Sequence, residues 1–263
     1  ARKLADLADI YVNDAFGAAH RAHASITGVA KYIPAVCGFL IEKELTVMGG
    51  AMAAPEHPFI AIMGGSKVAD KLGLIGSFIG KCDAILIVGG MAYTFFKANG
   101  GSIGSSICDD KSIELVSGLI AKAAARGTKI YLPVDTVIAD QFSNESNFCV
   151  VEAGCIPEAS MGMDIGPRTV ENYTKVIKEA KTIVWNGPAG VFEMSNFAAG
   201  TEGIARAVAE SGAVSIIGGG DSAAAIEKLG LQDKVTHVST GGGAAIEFLE
   251  GIELPGIACL LDR

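Results

Sequence analysis

Phe59-Ile60-Ala61-Ile62-Met63-Gly64-Gly65-Ser66-Lys67-Val68-Ala69-Asp70-Lys71 organises the reading of the whole chain. The unbroken apolar run Phe59 to Met63 has the length and content of a strand covered on both faces, as parallel strands are. Gly64-Gly65 then permits a tight turn in which backbone can approach a ligand. Beyond it Val68, Leu72, Ile75 and Ile79 recur at helical spacing, which predicts a helix from Lys67 to Ile79. Lys67 and Lys71 fall near its start. Two ammonium groups beside free helix N–H groups suit a polyanion, most economically a phosphate chain. The alternative for an isolated K-x-x-x-K is a solvated lysine edge, but the preceding strand and double glycine favour the phosphate. The stretch is not a Walker A loop, because G-x-x-x-x-G-K-[ST] is absent.

Outward from this stretch, strand-like and helix-like segments alternate. Phe59 to Met63, Ala84 to Val88, Lys129 to Leu132, Thr182 to Trp185, Val214 to Ile217 and Val235 to Val238 read as six strands. Helical patterns follow most of them, at Lys67 to Ile79, Met91 to Ala98, Ser112 to Ala125, Arg168 to Ala180, Ser222 to Leu229 and Ala244 to Leu249. The expected fold is α/β: a Rossmann-like three-layer αβα arrangement around a six-stranded, mostly parallel sheet. Ligands in such sheets gather beyond the carboxyl ends of the strands. Glycine collects there at Gly64-Gly65, Gly89-Gly90, Gly187 to Gly190, Gly218 to Gly220 and Gly241 to Gly243, which implies a large ligand. Ser143 to Pro157 interrupts the alternation and is read as a short β excursion.

The 263 residues carry a formal charge of −8, which argues against nucleic acid or an anionic membrane as the main partner. No apolar stretch reaches the ~18 residues of a membrane span. Six scattered cysteines without C-x-x-C spacing read as free thiols, and a reducing, cytoplasmic location is expected. The chain opens at Ala1 inside a helical pattern and is expected to be a piece of something longer.

Before the first core strand, Ile10-Tyr11-Val12 reads as a strand, followed by a loop in which His20, Arg21 and His23 crowd together. Arg21 offers a fork to an anionic substrate, with His20 beside it. The competing reading pairs Arg21 with Asp14. Ser25 to Met48 reads as one long or broken helix, and Gly49 to Pro58 as a linker.

Three further constellations bear chemistry. In Ile216 to Ser222, Asp221 stands at the mouth of a helix after three glycines; it caps the helix or, with anion sites on neighbouring turns, holds Mg²⁺ on a nucleotide. The same stretch fits G-x-G-x-x-A, a loose dinucleotide fingerprint, although no acidic residue follows at the right distance to take a ribose. An NAD-dependent oxidoreductase is therefore one alternative. A non-enzymatic nucleotide-binding module is another. In Thr182 to Glu193, Val191 and Phe192 can flank a flat heterocycle and Glu193 can accept from sugar hydroxyls, against a core Phe and a surface Glu as the plainer reading. In His237 to Gly243, successive N–H groups form a concavity for charge on a transferring phosphoryl group. Trp185 and His237 are read as core.

Together VNDAFGAAHRAHAS, GGSKVADK, GGMAYTFFK, LPVD, MDIGPRT, TIVWNGPAGVFE, IIGGGDS and HVSTGGGA resemble the phosphoglycerate kinase family, in the family's order. The resemblance implies a two-domain, hinge-bending enzyme. Its C-terminal domain takes Mg-ATP or Mg-ADP, and its N-terminal domain takes 3-phosphoglycerate or 1,3-bisphosphoglycerate; the full-length enzyme is expected to be monomeric. Carried over by position, Lys67 and Lys71 contact nucleotide phosphates, with Lys67 following the transferring group. Gly89, Gly166, Asn186, Val191, Phe192 and Glu193 line the nucleotide site, Gly219, Gly220, Asp221 and Ser222 form the phosphate and Mg²⁺ turn, and Asp221 is the metal ligand. Gly242 and Gly243 stabilise the phosphoryl group, and Arg21 with His20 holds the triose. The implied domains are a substrate-domain remnant over 1–28, an interdomain helix and linker over 29–58, the nucleotide domain over 59–250 and a tail over 251–263. Ser222 stands where the family usually has Thr. The family's R-x-D-x-N signature and basic patch are missing from these residues, so the 263-residue piece is expected to bind nucleotide but to be impaired in turnover.

Overall fold

Strand β3 (Phe59–Met63) lies at the middle of the sheet, and all five of its residues are buried. In this computed structural model residues 1–261 are described; Asp262 and Arg263, the end of the expected tail, lie outside the described residues. In chain order the strands are β1 (Tyr11–Asn13), β2 (Ala35–Cys37), β3, β4 (Ala84–Ile87), β5 (Ser102–Ile103), β6 (Lys129–Tyr131), β7 (Asp135–Ala139), β8 (Phe148–Glu152), β9 (Cys155–Ile156), β10 (Met161–Ile165), β11 (Thr182–Asn186), β12 (Val214–Gly218) and β13 (His237–Val238). The α-helices are α1 (Arg2–Ala5), α2 (Phe39–Ala53), α3 (Leu72–Phe78), α4 (Met91–Ala98), α5 (Ile113–Arg126), α6 (Pro167–Glu179), α7 (Ala199–Glu210), α8 (Gly220–Lys228), α9 (Gly243–Glu250) and α10 (Pro255–Ala258).

Six strands pair in the order β13-β12-β11-β3-β4-β6, every neighbouring pair parallel. Numbered by their appearance in the sheet this is 6-5-4-1-2-3, the order of doubly wound dinucleotide folds, with the chain's direction of winding reversing between β3 and β11. Side chains alternate between two helical layers. Ile60, Ile62, Ile183, Trp185 and Ile217 pack with Tyr173 and Ile177 of α6 and Ile204 and Val208 of α7. On the other face Phe59 meets Phe78 of α3 edge-on, ring centroids 5.6 Å apart.

The contacts divide the chain into two units, Glu56–Val238 and a second made of Ala1–Pro55 with Ser239 onward. The expected tail and the triglycine Gly241 to Gly243 thus belong with the N-terminal residues. Within that unit the tail is pinned: Asn13 Nδ2 donates to Gly256 O at 2.9 Å and Leu261 N to Ala35 O at 2.9 Å.

Four local expectations are corrected. The first core helix begins at Leu72, after a bend and a 3₁₀ turn over Ala69–Lys71, so Lys67 and Lys71 precede α3. The stretch from Ser25 is broken into short turns and the strand β2, and α2 starts only at Phe39. It runs on through Gly49 and Gly50, because Ile41 and Met48 are fully buried along it and outweigh the glycines' weak propensity. The β excursion is larger than expected: β10, β7 and β8 form a three-stranded antiparallel sheet, and β5 pairs with β9.

Candidate active site

Between β3 and β11 the backbone of three turns is laced together. Gly64 N donates to Asn186 O at 2.9 Å, Gly65 N to Pro188 O at 2.9 Å and Gly89 N to Ala189 O at 3.1 Å. These approaches need glycine. A Cβ on Gly64 would lie 2.4 Å from Pro188 O, and one on Gly89, whose φ is +66°, would lie 2.5 Å from the same oxygen. Part of the glycine clustering therefore serves the sheet rather than a ligand. The lacing also fixes the mouth of the crevice at the point where strand order reverses.

A cavity of about 330 Å³ opens there. Its lining includes Gly65, Ser66, Gly89, Gly90 and Asp221, together with the apolar groups of Tyr93, Ile107, Phe142, Met161, Met163 and Val191. Glu193 lies on its lining with an exposed carboxylate. Apolar side chains together with a polar, glycine-lined turn in one cavity suit a ligand that carries both an aromatic base and charge.

Lys71 sits beside this turn. Its Nζ donates to Gly64 O and, at 3.4 Å, to Asn186 O. Burial pulls its pKa down to about 8, against the opposing charges of Asp221 and Asp70. Burial thus outweighs the neighbouring carboxylates at this ammonium. Lys67 is exposed. Asp221 is exposed on the first turn of α8, which opens at Gly219 with a φ of +84°. Among the described residues no three His, Cys, Asp or Glu side chains gather into a metal-ligand set. A single carboxylate fits Mg²⁺ that arrives with phosphates, since that ion keeps few protein ligands.

Of the other residues singled out from sequence, Gly89, Val191, Glu193 and Asp221 line the cavity; Phe192, Gly166, Asn186, Gly219, Gly220 and Ser222 do not. Phe192 turns away and packs on Ala198 and Ala225, which is the plainer reading of that side chain. Gly166 is buried where a Cβ would lie 2.2 Å from the Asp135 carboxyl; that carboxyl caps α6 through the N–H groups of Arg168 and Thr169 at 3.0 and 2.8 Å. Ser222 is fully buried and its Oγ accepts from Gly187 N at 2.6 Å, tying the α8 turn to the β11 turn. Asn186 Nδ2 is buried without a hydrogen-bond partner beside Gly218 and Gly219.

In the other unit Gly242 adopts a φ of +52° at the mouth of α9, and a Cβ on Gly243 would lie 3.5 Å from His20 Nε2. His20 Nε2 accepts from Arg21 Nε at 3.2 Å, and Arg21 is exposed. The alternative pairing of Arg21 with Asp14 is overturned: Asp14 Oδ1 instead accepts from Leu40 N and Ile41 N at the start of α2. Buried Glu44 on α2 accepts from Thr240 N at 2.9 Å and holds the strand-to-triglycine turn, a link no sequence pattern announced.

The chain matches the phosphoglycerate kinase family profile over residues 1–252. It belongs to the phosphoglycerate kinase family. The solved phosphoglycerate kinase of Coxiella burnetii is 43% identical to it at a TM-score of 0.92, covering 98% of this chain and 67% of its own. That of Pyrococcus horikoshii OT3 is 33% identical at 0.86, covering 98% of this chain and 65% of its own. The chain spans about two thirds of the length of these relatives. Family membership removes the oxidoreductase alternative raised by the loose dinucleotide fingerprint. No helix among the described residues is long and apolar enough to cross a membrane.

Proposed function

We propose that this chain carries the nucleotide half of a phosphoglycerate kinase, which in its full length moves a phosphoryl group reversibly between ATP and the carboxylate of 3-phosphoglycerate in glycolysis. The observation that carries the proposal is the meeting, at the sheet's switch point, of a glycine-laced turn, a half-buried lysine whose pKa burial lowers and an exposed carboxylate at a helix mouth. The purine lies along Val191, Met161 and Met163, and Glu193 accepts from the ribose. Gly89 keeps the wall thin. The phosphates run toward Lys71, Lys67 and the Gly219 to Ser222 turn, and Asn186, buried beneath that turn, supports it from behind.

Mg²⁺, taken by Asp221 together with phosphate oxygens, would neutralise charge on the transferring group. Exposed Lys67 is the residue proposed to follow that group, and the N–H groups of Gly242 and Gly243 are assigned to it by the family resemblance alone. Arg21 and His20 hold the triose. Positioning and charge neutralisation are the whole of the chemistry; no covalent enzyme intermediate is required. Phe192 and Gly166 act behind the site, by packing and by admitting Asp135. The reading also carries a monomeric, cytoplasmic full-length enzyme, in keeping with six free cysteines.

The 263-residue chain on its own is proposed to bind Mg-ADP while turning over poorly, because the triose-binding basic patch is not among its residues. A coupled assay with 3-phosphoglycerate and Mg-ATP tests both parts. Nucleotide binding with residual turnover is expected; family-like turnover by this polypeptide, shown by intact mass to be free of longer protein, would overturn the second part.

A further inference from the structure

The mouth of α7 fastens the wall of the cavity from behind. Asp164, only 2% exposed, accepts from Ile165 N at 2.8 Å through Oδ1 and from Gly200 N at 2.7 Å through Oδ2. One residue further along α7, buried Thr201 accepts through Oγ1 from both Ala189 N at 3.0 Å and Gly190 N at 3.1 Å. The carboxyl presses directly on the turn these bonds hold: a Cβ on Gly190 would lie 2.2 Å from Asp164 Oδ1, and one on Gly200 2.1 Å. Val191 N completes the link by donating to Met163 O at 2.9 Å. Gly190, Val191, Gly162 and Met163 all line the cavity, and Asp164 and Thr201 do not.

We propose that Asp164 and Thr201 are positioning residues that set the apolar wall of the nucleotide cavity, and so govern affinity for the base rather than for the phosphates. The inference rests on the nucleotide reading above. Keeping a carboxyl in this place is costly. Burial raises its pKa to about 7, Glu202 adds to the rise, and among the described residues no cation pairs with it. Two backbone N–H donors and two glycines shaped around the group are what retain it. The hydrogen bonds of Asp164 and Thr201 go to Ile165, Gly200, Ala189 and Gly190, not to Lys71 or Asp221.

The test compares Mg-ADP with Mg-pyrophosphate, which carries charge but no base, on the 263-residue chain and three variants. Asp164→Asn must turn an amide donor toward Gly200 N or Ile165 N, and Thr201→Val removes the acceptor for two N–H groups. Each is expected to weaken Mg-ADP about tenfold, the cost of about one lost hydrogen bond to a charged or doubly used acceptor, and to leave Mg-pyrophosphate within about twofold. Thr201→Ser keeps the hydroxyl and is expected to restore parental Mg-ADP binding. Equal weakening of both ligands, unchanged Mg-ADP binding by a folded Thr201→Val, or failure of Thr201→Ser to recover would overturn the proposal; if Asp164→Asn does not fold, the Thr201 pair decides. A parent chain that binds neither ligand overturns the nucleotide reading itself, and this inference with it.

Discussion

Replacing Lys71 by Met is expected to make the unliganded protein more stable and the liganded one weaker. In the folded chain the Lys71 pKa is lowered from 10.5 to about 8 by burial, and that difference of roughly 2.5 units corresponds to about 3 kcal/mol of destabilisation at pH 7. Two hydrogen bonds to the carbonyls of Gly64 and Asn186 are lost with the amine, at about 1 kcal/mol each. The net gain for Lys71→Met is therefore about 1 kcal/mol or somewhat more. Its pH dependence is fixed by the direction of the shift. The penalty is complete below about pH 8, fades as pH rises toward the unfolded value, and is absent above it. Urea unfolding at pH 7 and near pH 10.5 should show the variant ahead of the parent at the first and level with it or behind at the second. Binding moves the other way. An arriving phosphate raises the Lys71 pKa again, so the parent should take up protons with Mg-ADP near pH 8, visible as a buffer-dependent heat in calorimetry. The variant should lose that uptake and bind about 10- to 100-fold more weakly, the range of a hydrogen bond to a charged group. A Lys71→Met protein that is less stable than the parent at pH 7 and binds Mg-ADP equally well would refute the reasoning.

Asp221→Asn removes an exposed carboxylate, so its unfolding free energy should stay within about 0.5 kcal/mol of the parent while magnesium ceases to strengthen ADP binding. Gly64→Ala puts a methyl 2.4 Å from Pro188 O and should cost about 2 kcal/mol or more in denaturant unfolding as the β3 and β11 turns are forced apart. The raised pKa of Asp164 means the folded state holds its proton more tightly than the unfolded chain; the destabilisation is absent below about pH 4, grows toward pH 7 and persists above. The melting temperature of the parent should therefore fall across that window more steeply than that of Asp164→Asn.

The parallel sheet was legible because most of its strands are apolar runs with glycine directly after them, as in Phe59 to Gly65 and Val214 to Gly220. The antiparallel sheet was only partly so. Met161 to Ile165 mixes glycine and aspartate into a strand that is pinned by tertiary contacts, and Asp135 to Ala139 follows β6 too closely to stand out. Lys71 and Asp221 announced themselves through charge at strand ends. Phe142, Ile107 and Met161 did not, since two come from separate loops and the third from the start of β10, which only the fold brings to one cavity. Asp164 and Thr201 were equally silent: their role depends on which N–H groups they meet across the chain. Lys67 and Lys71 were found by a helical pattern that begins five residues too early, because Val68 is buried in phase with the later helix while its backbone still turns.

The switch-point cavity is proposed to hold a magnesium nucleotide. The most direct measurement is a calorimetric titration of the folded chain with ADP, with magnesium present and then chelated. Saturable heat at one site per chain, weakened when magnesium is removed, is the expected result. No heat in either condition from a protein shown to be folded by circular dichroism would contradict the account.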